Sequence, residues 1–246
     1  MHRFYIDYRP DADVEITGQD VTHIRSVLRL SVGDEILVGD GSGRDYLCRI
    51  TEMTEAYVRA SVEDIRENFA ELPAEITLYQ GLPKGEKMDL VIQKAVEIGA
   101  ARIIPVEMER SVIRLDANKK KKRVERFARI AEAAAKQSGR GIIPQAGPVM
   151  TFAEALEDAK NRGAVILLPY ENAEGIAYSR KLLADLRPGR PIAVFIGPEG
   201  GFADREIALA KEAGAELMTL GHRILRTETA GLYILSLIAF QLEEDE

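Results

Sequence analysis

Three stretches of this 246-residue chain combine glycine, proline and ionisable side chains in a way that plain connections do not require. They are LLPYE at 167–171, FIGPEGGF at 195–202 and LGHRILRTETA at 220–230. Each lies at the end of an apolar run: AVILL, PIAVFI and AELMTL. In FIGPEGGF, Gly197, Gly200 and Gly201 let a backbone come close to a ligand and take up positive φ. Pro198 fixes its own φ and removes one donor, which suits a rigid pocket wall. Glu199, Arg226 and Glu228 supply the ionisable side chains. Phosphate chemistry is a poor match: no GxGxxG follows an apolar run, no GKS or GKT exists, and Pro198 stands where a dinucleotide fingerprint needs a free backbone donor.

The elements that must position these stretches follow from periodicity. After residue 74 the strand-like runs ITLYQGLP, RIIPVE, AVILLP, PIAVFIG and AELMTLG alternate with helical patterns. The helices are expected over Lys87–Ile98, Lys119–Ser138, Tyr178–Leu186, Asp204–Ala213 and from Thr227 onward. Thr151 and Glu154 have the spacing of a capping box. Strands that are apolar throughout, alternating with helices, predict a parallel sheet covered on both faces. Ligands of such sheets bind beyond the carboxyl ends of the strands, where the three stretches lie. Residues up to about 70 read differently: FYID, EILVGD, YLCRIT and YVRASVE are short strands joined by turns, with a short helix near Gln19–Leu28. RENFAELPA at 66–74 marks the boundary.

Composition limits the classes further. With 46% apolar and 30% charged residues and a net charge of −7, the chain reads as a globular protein with no bulk affinity for nucleic acid. A single cysteine, Cys48, excludes an internal disulfide framework and fits a reducing cytoplasm. His2, His23 and His222 have no metal-ligand spacing, so no metal is expected. The N-terminus lacks a signal-peptide pattern, and the apolar segment 232–242 is far shorter than the roughly 20 residues a membrane span needs. Positive charge is nevertheless concentrated. Nine Lys or Arg against two acids lie between Lys119 and Arg140. Lys119, Lys122, Arg123 and Arg140, with Arg110 and Arg114 of RSVIR and Arg25 and Arg29 of HIRSVLR, are candidate phosphate contacts.

Taken together, LLPYE, FIGPEGGF and LGHRILRTETA resemble the three ligand loops of the SPOUT methyltransferases, and are most similar to the RsmE family. QGLPKGEKMDLVIQKAVEIG, RIIPVEMERSVIR and HIRSVLRLSVGDEILVGDGSG extend the resemblance from about Phe4 to Phe240. The resemblance implies a PUA-like β-barrel RNA-binding domain over 1–70 and a SPOUT-type α/β domain with a trefoil knot over 74–246. It implies a cytoplasmic homodimer that uses S-adenosylmethionine to methylate N3 of a uridine in 16S ribosomal RNA, within the small ribosomal subunit. The cofactor loops then map to Leu168, Pro169, Tyr170 and Glu171; to Ile196, Gly197, Pro198, Glu199, Gly200 and Gly201; and to Leu220, Gly221, Ile224, Leu225 and Arg226. Leu168, Ile196, Leu220, Ile224 and Leu225 are the expected apolar walls. Uracil N3 must lose its proton before it can attack a sulfonium, so Arg226 is the candidate stabiliser of the anion and Glu199 or Glu228 the candidate proton acceptor. Another RNA atom, such as a ribose 2′-hydroxyl, and a non-catalytic ribosome-assembly role are the rival readings.

Overall fold

The computed structural model describes all residues except 114, 172, 174 and 244–246. Its chain divides into two compact units, Met1–Glu71 with Ala135–Ile143, and Leu72–Ala134 with Pro144–Glu246. The sequence groups residues 135–143 with the second domain; by their contacts they cluster with the first unit.

In the first unit, β1 (His2–Tyr5), β2 (Asp13–Thr17), β3 (Glu35–Gly39), β4 (Arg44–Met53) and β5 (Tyr57–Glu67) form a sheet in the order β1-β3-β4-β5-β2. The β1–β3 pair is parallel and the rest are antiparallel. Irregularities between Leu47 and Cys48 and between Ile50 and Glu52 bend the long β4, and such bulges increase twist. The result is a curled half-barrel. One face of each strand packs inward: Val14 and Ile16 of β2, Ile36 and Val38 of β3, and Tyr46, Cys48 and Ile50 of β4 share a core with Phe4 and Ile24. Burial pushes the Cys48 thiol up to about 12, as for a residue that fills space in place of reacting. The short helix α1 (Gln19–Thr22) runs into a π-helical turn, His23–Val27.

Residues 135–143 join this unit through named bonds. Lys136 pairs with Asp20 at 2.8 Å, and Tyr5 donates its hydroxyl to the Arg140 carbonyl at 2.6 Å. Arg140 itself is 2% exposed and gives Glu71 a bidentate pair, Nε to Oε1 at 2.8 Å and Nη2 to Oε2 at 2.5 Å. This corrects the expectation that Arg140 meets RNA phosphate. A guanidinium sealed against a carboxylate has no donor face left for solvent.

In the second unit, β6 (Ile76–Gly81), β7 (Arg102–Glu107), β8 (Gln145–Ala146), β10 (Val165–Pro169), β11 (Ile192–Ile196) and β12 (Glu216–Met218) form a parallel sheet ordered β12-β10-β11-β6-β7-β8, with β9 (Met150–Thr151) beside β7. Every residue of β6 and β11 is buried, as continuous apolar runs require. On one face, α4 (Phe152–Asn161) and α6 (Asp204–Glu212) cover Tyr79 and Phe195, whose rings stack at 4.5 Å between centroids. Thr151 and Glu154 form the expected capping box of α4. α2 (Lys87–Ile98) packs against α7 (Thr227–Leu242), which also lies against β6 and β11. α5 (Ile176–Ala184) and α3 (Ala117–Ser138) complete the helices.

α7 is apolar almost all round, so its sequence predicts cover on more than one side. The fold covers one face, through Ile234, Leu235, Ile238 and Leu242, and leaves Tyr233 40% and Phe240 88% exposed.

Candidate active site

β12, β10 and β11 are neighbours in the parallel sheet, so the segments that leave their carboxyl ends converge. Those segments, Pro169–Glu171, Gly197–Phe202 and Thr219–Thr227, line a cleft of about 1000 Å³. Lys87 at the start of α2 and Arg110 after β7 complete its wall.

The GPEGG loop is the most constrained part. Gly201 donates its N–H to the Pro198 carbonyl at 2.9 Å and holds a φ of 67°, a conformation that costs most residues strain but not glycine. Gly81, at the end of β6, meets the loop without a side chain between them. A Cβ there would lie 2.5 Å from the Pro198 nitrogen and 2.7 Å from its Cδ. Arg110 Nη1 donates to the Gly200 carbonyl at 3.2 Å. Below the cleft, the buried Glu206 carboxylate accepts N–H groups of Glu109 and Ala203, both at 2.8 Å, and so ties the Arg110 segment to the start of α6.

Ionic contacts join this loop to α7. Glu199 Oε1 accepts the Lys84 backbone N–H at 3.0 Å and the Lys87 ammonium at 3.1 Å. Lys87 also lies 3.4 Å from Glu228 Oε2, which has no well-formed hydrogen bond among the described residues. Burial would raise the Glu199 carboxyl, but the Lys84 and Glu199 N–H groups and the Lys87 ammonium outweigh it and hold the group below its ordinary value. Lys87 is in turn raised, chiefly by its hydrogen bond to Glu199. Both groups stay charged at neutral pH.

Of the residues expected around a cofactor, all but Leu168 line the cleft. Leu168 is fully buried and belongs to the core shared with Tyr79 and Phe195. In a strand covered on both faces, alternation does not reveal which side meets the loop. Ile224 stands at the rim, 93% exposed. Arg226 lines the cleft at the N-cap of α7, and among the described residues no hydrogen bond or ion pair occupies its guanidinium. Glu228 does not line the cleft; it faces Lys87.

The candidate phosphate contacts are more dispersed. Arg110 is a cleft residue bound to GPEGG, and Arg114 lies outside the described residues. On α3, Lys119 pairs with Asp116, Lys120 with Glu107, and Arg126 with Asp89. Lys121, Lys122 and Arg123 have no carboxylate within ion-pair reach among the described residues. Arg25 and Arg29 are exposed in the first unit. Arg29 is the one non-glycine among the described residues with positive φ, at 56°.

Lys87 and Thr227 are cleft residues that the sequence motifs do not mark out. The clue to Lys87 is LPKGEK following the apolar run of β6, another loop at the same edge of a parallel sheet. Thr227 reads as an ordinary helix cap; instead, Arg226 is the N-cap residue and the Thr227 hydroxyl donates to the Gly197 carbonyl at 2.6 Å.

An S-adenosylmethionine molecule fits these features. It has no phosphate, and the cleft offers glycine backbone, apolar walls and a few polar groups in a volume at the upper end for such ligands.

Comparison with known proteins agrees. Residues 70–239 match an RNA methyltransferase domain family, and residues 16–63 match the RNA methyltransferase PUA domain family. Ribosomal RNA small subunit methyltransferase E of Bacillus subtilis is 34% identical over 99% of this chain and 98% of its own length. The crystal structure of the Neisseria gonorrhoeae methyltransferase of the same name, bound to S-adenosyl methionine, is 34% identical, covers 96% of each chain and has a TM-score of 0.83. A putative methyltransferase from Legionella pneumophila, solved with the same cofactor, is 30% identical with a TM-score of 0.83 over 96% of each chain.

Proposed function

The chain belongs to the RsmE family of S-adenosylmethionine-dependent RNA methyltransferases, and from that premise we propose that it methylates N3 of a uridine in 16S ribosomal RNA, with Arg226 facing the reacting base. The observation that carries the reading is the guanidinium of Arg226, unpaired among the described residues, in the same cleft as the GPEGG loop. When bound, S-adenosylmethionine supplies an electrophilic methyl group. The protein's part is to hold the uracil, turned out of any base pair, while its N3 proton passes to solvent water in the cleft. Negative charge then spreads over O2 and O4, where a preorganised guanidinium stabilises it. Incubating the protein and cofactor with ribosomal RNA from cells that lack it should yield 3-methyluridine by nucleoside mass spectrometry. A methyl group on ribose, or none, would overturn the reading.

Glu199 shapes the cofactor loop in this reading and takes no proton, because a carboxylate held below its ordinary value is a weakened base. A depressed carboxyl contributes its tethering above its ordinary value and loses it as pH falls through the depressed one. Affinity for S-adenosylmethionine, followed by calorimetry, is therefore expected to hold steady down to about pH 4 and to fall below it. Glu199→Gln should bind more weakly at neutral pH and lack that acid limb.

RNA is engaged by Lys121, Lys122 and Arg123, with Arg25 and Arg29 contributing from the PUA domain. The strained backbone of Arg29 supports a role beyond solvation. A cytoplasmic location and the small ribosomal subunit as substrate go with that target, and a knotted C-terminal segment goes with the family resemblance. A homodimer accounts for the uncovered face of α7, where Tyr233, Leu237 and Phe240 form one stripe. Phe240→Asp is expected to convert a dimer to a monomer by sedimentation velocity; an unchanged sedimentation coefficient would remove that interface.

A further inference from the structure

Gln80, the penultimate residue of β6, is fully buried, yet its Oε1 has no hydrogen-bond partner among the described residues. A buried acceptor left unpaired is costly, so a fold that keeps an amide here must gain something from its other end. That end, Nε2, donates to Thr227 Oγ1 at 2.8 Å and to the Gly81 carbonyl at 3.1 Å. The Thr227 hydroxyl in turn donates a hydrogen bond to the Gly197 carbonyl at 2.6 Å. One relay thus joins the end of β6, the start of α7 and the first residue of GPEGG.

Resting on the methyltransferase reading above, we propose that Thr227, held by Gln80, is a positioning residue for methyl transfer. It fixes the cofactor loop relative to Arg226, the residue before it. Arg226 has extended backbone, φ −65° and ψ 152°, and Thr227 is the first residue of the helix, so the direction of the arginine side chain depends on where that helix start is anchored. The anchor is the carbonyl of the loop that receives the cofactor. Gln80 does not line the cleft and need not touch either reactant. The hydroxyl of Thr227 has a single orientation that serves both neighbours: its proton points to Gly197 and a lone pair faces Gln80. The Lys87 bridge between Glu199 and Glu228 spans the same two elements but is exposed to solvent screening. The buried relay is therefore the link that persists at high salt.

The test uses four full-length proteins: the unaltered chain, Thr227→Val, Thr227→Ser and Gln80→Met. For each, S-adenosylmethionine affinity is read by calorimetry, turnover on ribosomal RNA by methyl transfer at 0.1 and 0.5 M salt, and thermal stability by melting. Thr227→Val keeps the shape and removes the hydroxyl. It should weaken cofactor binding by about tenfold and lower turnover at both salts. Thr227→Ser should restore most of both. Gln80→Met removes the orphan acceptor together with the donor, so it should melt no lower than the unaltered chain and still bind and turn over more weakly. A merely structural role would tie any loss to a lower melting temperature.

Unaltered affinity and turnover in Thr227→Val and Gln80→Met would overturn the proposal while leaving the methyltransferase reading in place. Absence of cofactor binding by the unaltered chain would overturn both. Should Thr227→Val fail to fold, Gln80→Met and Thr227→Ser decide the question alone.

Discussion

Replacing Arg226 by alanine is expected to lower the rate of methyl transfer by about 10²–10³-fold, or about 2.7–4 kcal/mol of transition-state stabilisation, the usual effect of removing one preorganised donor. The affinity for S-adenosylmethionine should stay close to that of the unaltered protein. The split follows from the position of the side chain. Arg226 lines the cleft but, unlike Arg110, gives no hydrogen bond to the GPEGG loop. Its loss leaves the loop tethers at Gly81, Lys87 and Thr227 in place. Saturating cofactor with single-turnover kinetics measures the chemical step directly. If Arg226 instead held the cofactor's own carboxylate, the dissociation constant would rise and the rate at saturation would recover. Arg226→Lys should recover only part of the rate, since an ammonium lacks the planar fork that can meet a carbonyl oxygen and its neighbour together.

The second large effect is expected at Gly81. A methyl group at this position would sit 2.5 Å from the Pro198 nitrogen and 2.9 Å from the Gly197 carbonyl carbon, against backbone on a proline that cannot rotate away. Either β6 or the GPEGG loop must shift. β6 is hydrogen-bonded on both sides, to β11 and β7, so the loop yields. Gly81→Ala should lose about 1–3 kcal/mol of stability, in the range of overpacked cores, and bind S-adenosylmethionine at least an order of magnitude more weakly. Chemical denaturation and calorimetry on the same preparation separate the two. Wild-type binding by a folded Gly81→Ala protein would show that the loop does not hold the cofactor.

Much of this molecule is legible in its sequence because its signals are local. The alternation of apolar runs with helical periods identifies a parallel sheet, and Thr151 with Glu154 forms the capping box that the spacing implies. The three loops sit where strand ends must put them. What was not legible depends on partners far along the chain. Arg140 looks like part of a basic strip, because nothing around it announces that Glu71, 69 residues earlier in the chain, closes over it. Leu168 lies in a run that is apolar on both faces, so its side could not be assigned. Lys87 carries no such signal, because strand order is not written in sequence: only the pairing of β6 with β11 puts its loop beside GPEGG. The hydroxyl of Thr227 carried the same helix-start signal whether it capped α7 or reached Gly197.

That pairing has a kinetic side. β6 ends at Gly81 and its neighbour β11 begins at Ile192, so the middle of the sheet joins segments more than a hundred residues apart. Closing so long a loop is entropically costly before any contact rewards it, and folds dominated by such pairings form slowly. During synthesis, β6 and β7 can pair early, but the open edge of β6 waits for β11. The cleft waits longer still, for Arg226 and Thr227 to leave the ribosome. A nascent chain shorter than that has no cofactor site to fill, so this enzyme becomes competent only once α7 has emerged.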